Sequence, residues 1–132
     1  MFNKLDHIAI VVKDIDSALK FWEETMGAAI AADEIVANNS IRLTHLDTGD
    51  CQVQLVQPLK GDHAIFQWME ANGEGLHHIC FYADNFDETF TYAKERHLVL
   101  DSVSPHQGTD GKRAFFLDEK ITMGIRIEVT GN

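Results

Sequence analysis

The sequence predicts an α+β fold built from two βαβββ modules, with helices on one face of a mostly antiparallel sheet. Three observations carry that prediction. First, Asp6-His7-Ile8-Ala9-Ile10 is echoed 71 residues later within Gly75-Leu76-His77-His78-Ile79-Cys80-Phe81. Second, Gln52-Val53-Gln54-Leu55 is echoed by Arg126-Ile127-Glu128-Val129, now 74 residues apart. Third, the stretch after each opening segment matches: Ile15 answers Phe86, Asp16 answers Asp87, and Leu19 answers Phe90. A recurring period of this size is the mark of a duplicated structural unit.

Residues 5–13 alternate as a strand, with Ile8, Ile10 and Val12 on one side and His7, Ala9 and Val11 on the other. Asp14 or Asp16 offers a helix cap. Ile15, Ala18, Leu19, Trp22 and Met26 then follow one helical face, and Gly27 stands where a helix would stop. Strands are expected near 30–36, 41–47 and 51–57, with Asp47-Thr48-Gly49-Asp50 as the turn between the last two. Pro58, Gly61, Gly73 and Gly75 bracket a connector whose Ile65, Trp68 and Met69 form a short helical stripe. The second module repeats the order. A strand is expected at 76–83, then a helix with Phe86, Phe90 and Ala93 on one face, capped by Asp84 or Asn85. A short strand near 98–102, a glycine-containing loop at 106–111, and strands at 112–118 and 123–130 complete it.

The chain of 132 residues suits one domain, residues 1–132, with module one about 1–58, a connector about 59–74 and module two about 75–132. A hydrophobic fraction of 45% and two prolines indicate a folded chain. A net charge of −10 argues against nucleic-acid binding, which depends on basic residues neutralising phosphates. It argues equally against anionic membranes. No apolar run approaches the ~18 residues of a membrane span, and no leader precedes the first strand. Cys51 and Cys80, each inside a strand-like stretch, read as reduced structural thiols. Together these features make a soluble, reducing, cytoplasmic setting the expectation.

Four polar side chains interrupt apolar strands: His7, Gln54, His78 and Glu128. Their flanking residues belong to the helix-covered face, so the four point to the other one. A single strand histidine is commonly a hydrogen-bonded core residue, and a single strand Gln or Glu is commonly solvated. All four at repeat-related places point instead to one divalent cation. Two imidazoles, an amide oxygen and a carboxylate make a mixed nitrogen and oxygen set with room for further ligands. A structural zinc site would favour thiolates in a closed tetrahedron. Open positions imply Lewis-acid chemistry. His77 points away from His78 by strand alternation and reads as structural. His45, His63, His97 and His106 have no repeat partner, and only His45 lies on a strand near the expected site.

The chain resembles the vicinal oxygen chelate superfamily of glyoxalases, extradiol dioxygenases, bleomycin-resistance proteins and methylmalonyl-CoA epimerases. The resemblance rests on Asp6-His7-Ile8-Ala9-Ile10-Val11-Val12, Gly75-Leu76-His77-His78-Ile79-Cys80-Phe81 and Gly124-Ile125-Arg126-Ile127-Glu128. Gln52-Val53-Gln54-Leu55-Val56-Gln57-Pro58 and Gly111-Lys112-Arg113-Ala114-Phe115-Phe116-Leu117 are similar to epimerase segments in particular. It implies a U-shaped sheet around a central metal cavity with helices outside, and a homodimer. It also implies one divalent ion per chain (cobalt, nickel, zinc, manganese or iron) held by His7, Gln54, His78 and Glu128. The implied substrate is a small molecule of the coenzyme A thioester class, epimerised by α-proton abstraction with Glu128 as ligand and base. The chain departs from the epimerase pattern at Leu43, where some members carry a second acid–base glutamate. It departs again at Asp118-Glu119-Lys120, where His-Pro-Lys is usual. Leu43 and His45 share a strand face, which makes His45 the candidate second base. The alternatives are a glyoxalase I-like lyase, a non-haem iron dioxygenase using His7, His78 and Glu128, and a non-catalytic small-molecule binding protein.

Overall fold

The computed structural model describes residues 2–132. It divides into two compact units: His7–His77, and His78–Asn132 together with the start of the chain up to Asp6. Each unit carries the βαβββ order that the repeat predicts.

The first unit holds β1 (Lys4–Val11, entering from residue 7), α1 (Ile15–Leu19), β2 (Ala29–Val36), β3 (Ile41–Asp47), β4 (Gln52–Pro58) and α2 (Ala64–Asn72). The strand order is β2-β3-β4-β1. β1 runs parallel to β4, while β2–β3 and β3–β4 are antiparallel. One face packs Val12, Ile15, Leu46, Val53 and Leu55 against Ala18, Leu19 and Trp22 of the first helical segment. Ile15, Leu46 and Leu55 are fully buried, each stabilising by about 1.5–3 kcal/mol relative to exposure. The other face packs Ala9, Val11, Ile41, Leu43 and Val56 against Ile65 of α2, with Trp68 and Met69 alongside. α2 therefore covers the far part of the face that carries His7 and Gln54.

Met26 does not join the helical face expected of it and is 62% exposed. After Leu19 the helix widens to a π-helical stretch, Lys20–Thr25, in which the Met26 N–H donates to the Phe21 carbonyl at 2.9 Å. The wider turn carries Met26 off the stripe set by 3.6-residue spacing. Arg42 on β3 ties the same side together, donating to Asp33 and to Asp16. Those bonds hold the Asp33 carboxyl below the usual carboxylate range.

The second unit holds β5 (Gly75–Tyr82, entering at residue 78), α3 (Phe86–Glu95), β6 (His106–Gln107), β7 (Arg113–Phe116) and β8 (Ile127–Gly131). Its order is β5-β8-β7-β6, with β5 parallel to β8 and the other pairs antiparallel. Asn85 caps α3, its side chain accepting from the Glu88 N–H. Phe86 and Ala93 of α3 pack on Phe115 and Val129, with Phe90 beside them. The residues near 98–102 form no strand. His97 adopts φ 57° and turns the chain, so Leu98 and Val99 plug the α3 core as irregular backbone while Leu100 is 54% exposed. The fourth strand of the module is β6, inside the stretch read as a loop. β8 starts at Ile127 rather than 123, because Met123 and Gly124 both take positive φ in a turn.

Strand register inside each unit reproduces the sequence repeat. Ala9 pairs with Gln54 in the first unit, as Cys80 pairs with Glu128 in the second. His45 pairs with Gln54, as Phe116 pairs with Glu128. Glu34 pairs with Leu43, as His106 pairs with Ala114. Among the described residues, no helix is long and apolar enough to cross a membrane.

Candidate functional site

In the second unit, alternation along β5, β7 and β8 places His78, Cys80, Ala114, Phe116, Glu128 and Thr130 on the face opposite α3. His78 Nε2 lies 3.5 Å from Glu128 Oε1, with side-chain exposures of 8% and 12%. His106 Nε2 lies 3.3 Å from the other carboxylate oxygen, Oε2. The Phe116 ring meets both imidazoles, edge-on to His78 at 5.4 Å and stacked with His106 at 5.7 Å. A nearly buried carboxylate thus sits between two imidazoles that share an aromatic wall. Cys80 is fully buried next to it. Burial, then the Glu128 charge, push its thiol far above the ordinary value, so Cys80 stays a neutral thiol. Lys112 Nζ stands 3.8 Å from Asp6 on the same unit.

In the first unit, His7, Gln54 and His45 are each 4% exposed. Gln54 and His45 are cross-strand partners and share a face with Leu43 and Val56. His45 is buried on that face. Its Nε2 lies 3.4 Å from Glu34 Oε1 on β2. His77 belongs to the α2 side of this unit, with its ring 4.9 Å from that of Trp68.

The residues fit a cation. In the second unit His78 and Glu128 make a nitrogen and oxygen donor pair of the kind that suits a borderline divalent ion, and the other Glu128 oxygen faces a second imidazole, His106. Sequence reasoning missed His106, Phe116 and Glu34. The repeat register is the one signal that relates Glu34 to His106, and it appears only once the strand pairing is known. The acidic pair expected at 118–119 is partly neutralised, because Arg126 Nη2 lies 3.1 Å from Glu119.

A family model described as the glyoxalase/bleomycin resistance protein/dioxygenase superfamily matches residues 6–116. The Bacillus subtilis protein YqjC, described as uncharacterized, is 32% identical over 96% of this chain and 91% of its own length. An ethylmalonyl-CoA/methylmalonyl-CoA epimerase of Cereibacter sphaeroides is 28% identical, covering 98% of both chains. A variant of Streptomyces coelicolor methylmalonyl-CoA epimerase, solved in complex with 2-nitronate-propionyl-CoA, aligns at TM-score 0.89 with 28% identity. That alignment spans 100% of this chain and 99% of the other.

Proposed function

Because the chain belongs to the glyoxalase/bleomycin resistance protein/dioxygenase superfamily, we propose that it is a divalent-metal-dependent epimerase of branched acyl-thioesters of coenzyme A, acting as one unit over residues 1–132. His7 and Gln54 of the first unit and His78 and Glu128 of the second are the proposed ligands of one ion per chain. The observation that carries the reading is the His78–Glu128 pair at 3.5 Å, 8% and 12% exposed, with Gln54 and Glu128 at equivalent register positions of their units. Similarity to coenzyme A thioester epimerases along nearly the whole chain supports the substrate class.

When bound, the cation supplies Lewis acidity that favours the enolate over the neutral thioester. The chain's residues supply the rest. Glu128 takes the α-proton from one face of the carbon, and its second oxygen is steadied by His106. His45, on the face shared with Gln54, serves the opposite face of the carbon in a two-base transfer. Return of the proton from the other side inverts the centre. Phe116, whose ring meets both imidazoles, and the buried Cys80 wall this side of Glu128. The proposal includes a homodimer, which sedimentation velocity tests directly.

The test is α-proton exchange from methylmalonyl-CoA in deuterated water by cobalt-loaded protein. Exchange is expected, with His45→Ala slowing one stereoisomer far more than the other. No exchange by the loaded parent would overturn the epimerase reading. Equal slowing of both isomers would remove His45 from the mechanism.

A further inference from the structure

Beside Glu128, the second unit offers a substrate little apolar surface other than the Phe116 ring. On the face that carries the carboxylate, Cys80 is fully buried, Ala114 is 1% exposed and Thr130 is 5% exposed. Tyr82, the other aromatic of that face, stands level with Thr130, one ladder step past the position of Glu128. Phe116 is half-buried and is the cross-strand partner of Glu128. Two contacts hold its ring, edge-on to His78 at 5.4 Å and stacked with His106 at 5.7 Å. The same two imidazoles face the two oxygens of the Glu128 carboxylate, at 3.5 and 3.3 Å. The ring thus touches both groups that flank the base. In the first unit the equivalent register position is polar, since His45 pairs with Gln54 as Phe116 pairs with Glu128.

We propose that Phe116 is the specificity-determining residue for the group carried by the α-carbon: its ring meets the apolar branch of the thioester and restricts the length of that branch. The inference deepens the epimerase reading and rests on it for the identity of the substrate. Proton transfer needs the α-carbon within about 3.5 Å of a Glu128 oxygen. The branch begins one carbon–carbon bond further on, about 1.5 Å away. A methyl group at that place has His78, His106 and Phe116 for neighbours in this unit. Of the three, Phe116 alone carries no polar atom to desolvate, so an apolar group is placed against it at least cost. The ring is braced by both imidazoles and cannot swing aside without giving up both contacts. A longer branch therefore overfills the space, and a smaller side chain at 116 opens it. One methylene more or less in an apolar pocket changes kcat/KM roughly 10- to 200-fold.

Methylmalonyl-, ethylmalonyl- and propylmalonyl-CoA test the assignment on the zinc-loaded protein. In the parent, kcat/KM for α-proton exchange in deuterated water should fall from methyl to propyl by about tenfold or more. In Phe116→Ala the propyl-to-methyl ratio should rise by about tenfold or more, and in Phe116→Trp it should drop below that of the parent. A general loss of metal or base function cancels in this ratio, because the three thioesters share one coenzyme A and one site. Dissociation constants of the same thioesters by calorimetry read binding apart from proton transfer, and their ratio should shift in the same sense. Equal kcat/KM for methyl and propyl in the parent, or an unchanged ratio in Phe116→Ala, overturns the role given to Phe116. Calorimetric ratios that shift as expected in a parent that exchanges no α-proton overturn the epimerase reading instead and leave Phe116 in its role. A parent that binds none of the three overturns both. If Phe116→Ala does not fold, Phe116→Leu carries the same expectations.

Discussion

Replacing Gly131 by alanine should destabilise the second unit through β8, the strand that carries Glu128. A methyl group at Gly131 would stand 2.6 Å from the Ala83 carbonyl oxygen and 3.2 Å from Phe86 Cβ. Neither obstacle can swing aside, since one is backbone and the other is the first side-chain atom of a helical residue 2% exposed. Either the end of β8 or the segment from β5 to α3 must retreat by several tenths of an ångström. The Ala83 N–H donates to the Thr130 carbonyl at 2.9 Å, one residue from the clash, so the retreat also loosens that bond. Overpacking of a tight site costs about 1–3 kcal/mol, and a weakened backbone hydrogen bond adds about 0.5–1.5 kcal/mol. The sum is about 2–4 kcal/mol. With a urea slope of about 2 kcal/mol/M, the middle of the range for small proteins, the midpoint should fall by about 1–2 M at an unchanged slope. Equilibrium urea unfolding followed by circular dichroism measures it. A midpoint within about 0.2 M of the parent would mean that β8 and Ala83 do not approach as described.

Three further outcomes are expected. Phe115 is fully buried and meets Phe86 and Phe90 edge-on at 5.5 and 4.9 Å, so Phe115→Ala should cost about 3–5 kcal/mol in the same unfolding assay. His106→Ala should weaken metal binding about tenfold by isothermal titration. That is the low end for a residue that steadies a ligand, because His106 is 45% exposed; His106→Gln should recover part of the loss. The carboxyl of Asp33 is depressed first by its hydrogen bond to Arg42. The stability from that pair is therefore complete above the usual carboxylate value near pH 4 and lost as pH falls through the lower folded value. Arg42→Met should flatten the acid limb of a stability-against-pH curve, and an unchanged limb would mean that the pair contributes nothing.

The parts of the fold that were legible in sequence are those with a regular period. The limits of β1, β3, β4 and β5 fall within two residues of expectation, because each is a mostly apolar run bounded by turn residues; β3 and β4 are buried on both faces, by the first helical segment on one and α2 on the other. Leu98 and Val99 misled because buried apolar residues in irregular backbone look like a short strand when only composition is visible. β6 was hidden for the opposite reason: His106 and Gln107 are exposed and polar, and two ladder positions opposite β7 are all that define them. Met26 strayed because the shift to five-residue hydrogen bonding after Leu19 leaves no mark in residue type. The four proposed ligands stand out because each sits among apolar neighbours at a repeated position. His106 and Glu34 do not, since each faces a partner reached across strands: Glu128 is 22 residues from His106 in sequence, and His45 lies on the strand after that of Glu34. Pairings of that kind belong to register, which the sequence pattern leaves open until the edge strands are placed.

The repeat-related set His7, Gln54, His78 and Glu128 is proposed to hold one divalent ion. The most direct measurement is elemental analysis of parent, His78→Ala and His77→Ala proteins, each loaded with cobalt or nickel and freed of excess. About one equivalent per chain is expected in the parent and in His77→Ala, whose native ring stands by Trp68, with loss of the ion in His78→Ala, whose native ring stands by Glu128. Retention in His78→Ala together with loss in His77→Ala would contradict it, as would a parent that binds no ion at all.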